Sequence, residues 1–338
     1  MDWFERLTGF PETGYDETRG RLRVDGRQLH SAFNGKSYGI GELELVSLQT
    51  LRDRVRDTRC IPGRLKVSVV RGNVRDMHLL PANAGALFQV ASQFNLLEMM
   101  SPRATPEEGV TGYQRDKTQG PACAMAAGAA TIYRNYFVPV GNDFGQTKGR
   151  QLNGLADVGQ VLGEALGKPV DALWSMENGY ALCSRDGLDA ISGYLQSLDE
   201  AKVEALSGKL RIGLHRDVEV TDSDGPDRQF VSQAFCSALP VAYSPVSAIH
   251  WESFASLILN AAYEATMWSG VLNAQRGKSN VVLLTRLGGG VFGNDDNWIH
   301  AAMRRALKMV EDFDLDVKLV SYGSPSPEIA QMAEDFGH

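Results

Sequence analysis

The stretch that decides the fold is Val281-Val282-Leu283-Leu284-Thr285-Arg286-Leu287-Gly288-Gly289-Gly290-Val291-Phe292-Gly293-Asn294. It opens on a continuous apolar run, the pattern of a strand covered on both faces in an α/β sheet. A glycine-dense loop follows, and beyond it Ile299, Met303, Ala306, Val310 and Phe313 recur on one face of a helix. Strand, glycine loop and helix start make an anion site by construction. Peptide N–H groups at a helix N-terminus are unpaired, the helix dipole adds positive charge, and glycine keeps Cβ atoms away from the approaching anion. Two readings of the loop stand, a diphosphate cradle or a tightly turning connection. The Rossmann spacing fails because the loop, near the C-terminus, is read as having no βαβ partner, and no Gly-Lys-Ser/Thr follows to make a Walker loop. A nicotinamide-dependent oxidoreductase is disfavoured with it.

Upstream, Leu65–Val70 alternates apolar and polar residues and stops at Gly72, and Ala86–Ala91 and Thr131–Val138 read as further strands. Between the last two lies a small-residue helix, Gly120–Ala127, with Pro121 at an early position. Leu210–Val220 and Phe230–Val241 read as strands joined by the turn cluster Asp222-Ser223-Asp224-Gly225-Pro226-Asp227. Phe254–Ser269 is an amphipathic helix expected to end at Gly270, and the strand Val317–Val320 precedes a short helix after Pro327. Strand and helix alternate, so the expectation is an α/β/α sandwich. Residues 1–64 read as an N-terminal extension packing on a core formed by residues 65–338. Within that core, residues 150–208 read as an insertion or subdomain with helices Gly154–Leu166, Asp186–Leu198 and Ala201–Leu206 and a strand near Tyr180.

The 338 residues carry 34 basic and 41 acidic side chains, a net charge of −7, with 43% hydrophobic and 22% charged residues. That is an ordinary globular composition. The acidic balance speaks against broad attachment to nucleic acid or to an anionic membrane, and leaves a small local anion site open. Glycine supplies 35 residues, against a usual ~7% of a chain. The opening Met1-Asp2-Trp3-Phe4 lacks the pattern of a secretory signal, and no apolar run approaches the roughly 18 residues of a membrane span. The expected location is cytoplasmic, or another cell after delivery without a cleavable signal. Cys60, Cys123, Cys183 and Cys236 show no C-x-x-C spacing and read as reduced, mostly buried thiols. His250, His300 and His338 have no neighbouring ligand set, so neither a metal site nor a cofactor is expected.

In chain order, the steps Arg71-Gly72-Asn73-Val74, Phe94-Asn95, Gly109-Val110-Thr111-Gly112 and Gly289-Gly290-Val291-Phe292-Gly293 resemble the macrodomain family. That family has an ADP-ribose-binding α/β/α fold with a mixed central sheet. The matching pieces are Leu65–Val138 and Phe230–Glu334, while Leu152–Leu206 has no counterpart in a minimal macrodomain. The resemblance implies that Asn73 and Val74 meet adenine and that Phe94 and Asn95 lie beside the distal ribose. It implies a ligand loop at Gly109, Val110, Thr111 and Gly112, and a diphosphate wrapped by Gly289, Gly290, Val291, Phe292, Gly293 and Asn294. Three departures matter. The family's adenine-contacting acid is Asn73 here, whose amide oxygen still accepts a hydrogen bond. The acid that the family associates with hydrolysis is replaced by Thr111, and Asp295 and Asp296 immediately follow the diphosphate-type loop.

Candidate catalytic acids are therefore sought elsewhere. Asp295 and Asp296 follow the glycine loop, Asp116 follows the Gly109–Gly112 loop, and Glu98 lies one helical turn after Asn95. Each could position a water, act as a general base or stabilise a cationic leaving group. Each also has an ordinary reading: helix capping for Asp295 and Asp296, a solvated loop or cap partner for Asp116, a surface helix residue for Glu98. Arg134 and Asn135 are expected in a strand, in ordinary structural pairing. The expected function is hydrolytic removal of ADP-ribose from modified protein side chains, with an arginine linkage preferred because acids crowd the glycine loop. The expected partner is ADP-ribose or an ADP-ribosylated protein. The alternative is a binding module for ADP-ribose or a related nucleotide that does no chemistry, which the missing acid at Thr111 favours.

Overall fold

A computed structural model describes residues 1–58, 62–222, 225 and 227–337. Cys60, His338 and, in the turn cluster, Ser223, Asp224 and Pro226 lie outside the described residues. The central sheet has seven strands: β1 (Glu42–Ser47), β2 (Lys66–Arg71), β3 (Leu87–Ala91), β4 (Arg211–Glu219), β5 (Phe230–Cys236), β6 (Val281–Leu284) and β7 (Asp316–Ser321). Their order is β1-β4-β5-β3-β6-β7-β2. From β5 to β2 every neighbouring pair is parallel, and β4 runs antiparallel to both β5 and β1. The sheet is therefore mixed, as expected.

Period-2 alternation divides each strand between two cores. Val282 and Leu284 of β6 join one core while Val281 and Leu283 join the other, and β3 and β5 divide in the same way. The first core is covered by α1 (Leu48–Asp57), α7 (Ala248–Gln275), α8 (Asp296–Met309) and α9 (Pro327–Phe336), and the second by α2 (Gln119–Ala126) and α3 (Gly128–Tyr136). The result is the three-layer α/β/α sandwich. Between them in sequence, α4 (Ala156–Leu166), α5 (Arg185–Ser197), α6 (Glu200–Ser207) and the hairpin Trp174–Glu177/Tyr180–Cys183 form the inserted α/β segment, which joins the first core.

Three expectations are corrected. Of Thr131–Val138, read as a strand, Thr131 to Tyr136 form most of α3. Its β-branched and aromatic residues are overridden by tertiary packing, because the helix is buried almost all round and Arg134 and Asn135 find partners inside the protein. The helix expected to stop at Gly270 continues to Gln275. Gly270 marks a close approach instead, since a Cβ there would sit 2.5 Å from Val282 Cγ2 on β6. The glycine loop, read as lacking a βαβ partner, joins β6 to α8, which leads on to β7, the parallel neighbour of β6. The stretch 1–64 supplies the edge strand β1 and the covering helix α1.

Its first forty residues form two short helices and a three-stranded sheet. Trp3, Phe4, Phe10, Leu29 and Tyr38 there pack with Tyr113, Met125, Ile132 and Tyr136 into a third core over α2 and α3. Cys123, Cys183 and Cys236 are free and buried. Among the described residues no helix is long and apolar enough to cross a membrane.

Candidate functional site

The parallel strands all end at one edge of the sheet, where open α/β sheets bind ligands. A cavity of about 800 Å³ opens there, within the range typical of small-molecule sites. Each strand end contributes: Gly72 and Asn73 after β2, Ser92 and Gln93 after β3, Ala238 after β5, Thr285 to Phe292 after β6, and Tyr322, Ser324, Pro325 and Ser326 after β7.

The glycine loop is shaped by its own backbone. Gly289 N–H donates to Arg286 O at 3.1 Å, Gly293 N–H to Gly290 O at 3.1 Å and Asn294 N–H to Gly288 O at 3.0 Å. Gly288 and Gly293 take φ of +76° and +67°, the left-handed region that favours glycine. Tyr263 of α7 pins the loop's start, donating to Thr285 O at 2.7 Å and accepting from Leu287 N–H at 2.8 Å. Among the described residues, the N–H groups of Gly290, Val291 and Phe292 have no protein acceptor. N–H groups left open in such a loop are able to take an anion.

Across the cavity stands Glu98. Its side chain is buried, and Oε1 has no hydrogen-bond partner among the described residues. Its backbone is clamped: Glu98 N–H donates to Tyr113 Oη at 3.0 Å, and Met99 N–H donates to Gln93 Oε1 at 2.8 Å. Burial pushes the Glu98 carboxyl well above the ordinary carboxylate range. The Arg134 charge opposes that shift and Asp116 adds to it. Helix α2 starts beside this acid, with no side-chain cap bond from Thr118 at its N-terminus. The Gln119 side chain seals the end of β3, accepting from Ala91 N–H at 2.9 Å and donating to Gln89 O at 2.8 Å.

Of the expected site residues, Asn73, Val74, Glu98, Asp116, Gly289, Gly290, Val291 and Phe292 line this cavity. Asn73 also caps a short helix, its side chain accepting from Arg75 N–H at 2.9 Å. The other expected residues lie elsewhere. Phe94 is buried in the first core and its N–H donates to Gly179 O at 3.0 Å in the inserted segment. Asn95 is buried too, bonding Gln151 Oε1 at 2.8 Å and Leu97 N–H at 3.0 Å, so it holds a turn.

The loop Gly109, Val110, Thr111 and Gly112 does cradle an anion, but a resident one. The N–H groups of Val110 and Thr111 donate to the Glu12 carboxylate at 2.9 and 2.7 Å, and Tyr136 Oη adds a bond at 2.7 Å. A Cβ at Gly109 would come within 2.4 Å of that carboxylate.

Gly293 and Asn294 shape the glycine loop without lining the cavity, the Asn294 amide donating to Leu239 O at 2.8 Å. Asp295 caps α8, accepting from Asn297 N–H at 2.8 Å, and Asp296 pairs with Arg286 at 3.1 Å. Both acids are exposed, and the capping reading is the one their geometry matches. Glu98, expected on a surface helix in its ordinary reading, is instead buried at the cavity wall.

Several cavity residues escaped sequence reasoning. Tyr180 reaches in from the inserted hairpin, donates to Met99 O at 2.7 Å, and packs its ring at a tilt against Tyr243 and Phe292 at centroid distances of 5.2 and 5.3 Å. No local signal marks it. Tyr322 and Pro325 could have been found from the rule that strand ends carry ligand residues. Among the described residues, no group of three or more His, Cys, Asp or Glu side chains is gathered as a metal ion would need.

The sequence matches no protein-family model and no curated protein. Among solved structures, the chain is similar to poly(ADP-ribose) glycohydrolase from Deinococcus radiodurans in complex with ADP-ribose. The identity is 12% and the TM-score 0.45, over 88% of this chain and 94% of that one. It is also similar to the poly(ADP-ribose) glycohydrolase of Thermomonospora curvata, at 12% identity and a TM-score of 0.43, over 91% of this chain and 92% of that one. The form of that protein bound to the inhibitor ADP-HPD gives 13% identity and a TM-score of 0.43, over 92% and 94%. Likeness at this level carries nothing over to the chemistry of this chain.

Proposed function

We propose that the protein is an ADP-ribosyl hydrolase, with ADP-ribose in the cavity and its diphosphate on the open N–H groups of Gly290, Val291 and Phe292. One observation carries the reading: a buried carboxyl, Glu98, whose Oε1 has no hydrogen-bond partner among the described residues, lines the same cavity as an anion-ready glycine loop. A reader of ADP-ribose has no use for a buried acid held proton-rich, whereas cleavage of a glycosidic bond uses one. In this reading Glu98 gives its proton to the leaving atom as the bond to the anomeric carbon breaks and the bonding pair departs with that atom. A water adds to the anomeric carbon, and Asp116, half-buried at the same cavity, takes the water's proton.

The arginine linkage drew its support from acids at the glycine loop. Asp295 and Asp296 are used for capping and for pairing with Arg286, which leaves Asp116 as the acid beside Glu98 that could meet a guanidinium. The test compares release of free ADP-ribose from arginine-, glutamate- and serine-linked protein and from polymer, by wild type and by Glu98→Gln. Release from at least one substrate, reduced 100-fold or more in the variant, is the expected result. Binding of ADP-ribose in calorimetry without release from any substrate would leave the non-catalytic binding module. Absence of binding at millimolar ligand would remove both.

A further inference from the structure

Arg134 is fully buried on α3 and, among the described residues, forms no direct ion pair. Its guanidinium directs every bond at a neutral acceptor: Nε to Leu96 O at 3.2 Å, Nη2 to Thr131 Oγ1 at 2.9 Å and Nη1 to His215 Nδ1 at 3.3 Å. Its carbon stands 3.8 Å from the centroid of the Phe235 ring. Burial pushes its pKa down to about 10, so it remains a cation at neutral pH. A buried charge without a contacting counter-charge is costly, and such groups persist where the surroundings need their field or their geometry.

The geometry it enforces is that of the Glu98 turn. Leu96 takes a φ of +66°, a left-handed conformation that costs a non-glycine residue about 1 kcal/mol or more. Arg134 fixes its carbonyl, and Gln146 Nε2 bridges Asn95 O and Arg134 O at 3.0 Å each. Gly213 leaves room for the side chain, since a Cβ there would lie 2.5 Å from Leu96 Cδ1. Glu98 is two residues further on. Arg134 is fixed in turn by His215, whose Nε2–H donates to Ile40 O at 2.6 Å, leaving Nδ1 as an acceptor. Burial, and then the neighbouring guanidinium, hold His215 well below its ordinary pKa and keep it neutral. A continuous line of contacts thus runs from Ile40 through His215 and Arg134 to the turn that carries the acid.

We infer that Arg134 is a positioning residue for the Glu98 carboxyl, holding the Leu96 turn and supplying the fixed positive charge behind the acid, with His215 as its strut. The inference deepens the hydrolase reading and rests on it for the role of Glu98. The groups that act on Glu98 or are acted on by it are Asp116 and Tyr113 from the turn after Val110, Cys123 from α2, Arg134 from α3 and Tyr180 from the inserted hairpin. Burial keeps Tyr113, Cys123 and Tyr180 neutral. Arg134 is the cation of the set, so its loss drives Glu98 further toward its protonated form.

The experiment follows the Glu98 carboxyl directly, by infrared difference spectra taken against Glu98→Gln in the same background across pH. This readout needs no substrate. In Arg134→Met the midpoint is expected to rise by one pH unit or more. In Arg134→Lys, which restores the charge without the planar fork, it returns most of the way to wild type while kcat for ADP-ribose release stays at least tenfold down. The Glu98 limb of the pH–rate profile moves with the infrared midpoint. Should Arg134→Met not fold, Arg134→Gln, which keeps one donor toward Leu96, reads the same loss of charge. An unchanged infrared midpoint in the folded neutral variant overturns the inference. A wild type that releases no ADP-ribose removes the hydrolase reading alone, because the midpoint is still measured.

Discussion

The Glu98 carboxyl lies directly against the α-carbon of Gly120: a Cβ at that position would fall 2.2 Å from Glu98 Oε2 and 2.0 Å from the Ala91 carbonyl oxygen. Glycine is there because the first turn of α2 must touch both the acid and the end of β3. Gly120→Ala has to move one of the two, and the Ala91 carbonyl is backbone. The expected cost is about 1–3 kcal/mol of stability, the range of overpacking, with Glu98 pushed out of place. Urea unfolding and the rate of ADP-ribose release read the two effects. A variant equal to wild type in both would contradict this packing.

The same carboxyl makes stability depend on pH in a definite direction. Burial raises the folded-state pKa of Glu98 above an unfolded value of about 4.3. Its contribution is therefore fully present below the unfolded pKa and is lost as pH rises through the raised folded value. Glu98→Gln removes that dependence. Denaturant unfolding of both proteins from pH 4 to pH 9 is expected to show the variant gaining on wild type as pH rises. A difference that is flat, or that falls with pH, would mean that the carboxyl is ionised and solvated in the folded protein.

Much of the sheet was legible because its signals are local. The apolar run of β6 ends in glycines, and β2 alternates and stops at Gly72. Edge strand β1 also carried its signal, since Glu42-Leu43-Glu44-Leu45-Val46 alternates, but it sits among turn residues that read as an extension. Residues 131–138 misled because β propensity reports a fit to a half-buried surface, and α3 is buried nearly all round. The site was legible where it follows strand ends, as at Asn73 and the glycine loop. It was obscure where a residue's role depends on distant chain, as with Tyr180 arriving from the insertion or Glu12 occupying the Val110–Thr111 amides.

That Glu12 contact yields its own prediction. Removing the carboxylate in Glu12→Ala leaves the N–H groups of Val110 and Thr111 and the hydroxyl of Tyr136 without their acceptor. Unpaired polar groups of this kind cost about 1–3 kcal/mol. The turn they anchor carries Tyr113, whose hydroxyl accepts from Glu98 N–H. Glu12→Ala is therefore expected both to lower the unfolding midpoint and to slow ADP-ribose release. Glu12→Gln, keeping one acceptor oxygen, should recover part of each. Loss of stability with kcat unchanged would show that the Glu12 cradle does not govern the placement of Glu98.

The glycine loop and the two acids that follow it separate ligand binding from helix stability. A Cβ at Gly290 meets nothing within 4 Å, so Gly290→Asp is sterically tolerated while placing a negative charge among the open N–H groups. Affinity for ADP-ribose should fall at least tenfold, which is about 1.4 kcal/mol, with the unfolding midpoint unchanged. Asp295→Ala should do the reverse. Its side chain caps α8, so its loss costs about 1 kcal/mol of stability and leaves calorimetric affinity within error of wild type. Asp296→Ala removes the carboxylate that pairs with Arg286 at 3.1 Å, while Arg286 still donates to Gly289 O at 2.7 Å and lines the cavity. A guanidinium without its carboxylate partner beside a diphosphate strengthens binding rather than weakening it. If Asp296→Ala instead abolished hydrolysis at unchanged affinity, that acid would have to reach the reacting bond, and Glu98 would lose its place as the principal acid.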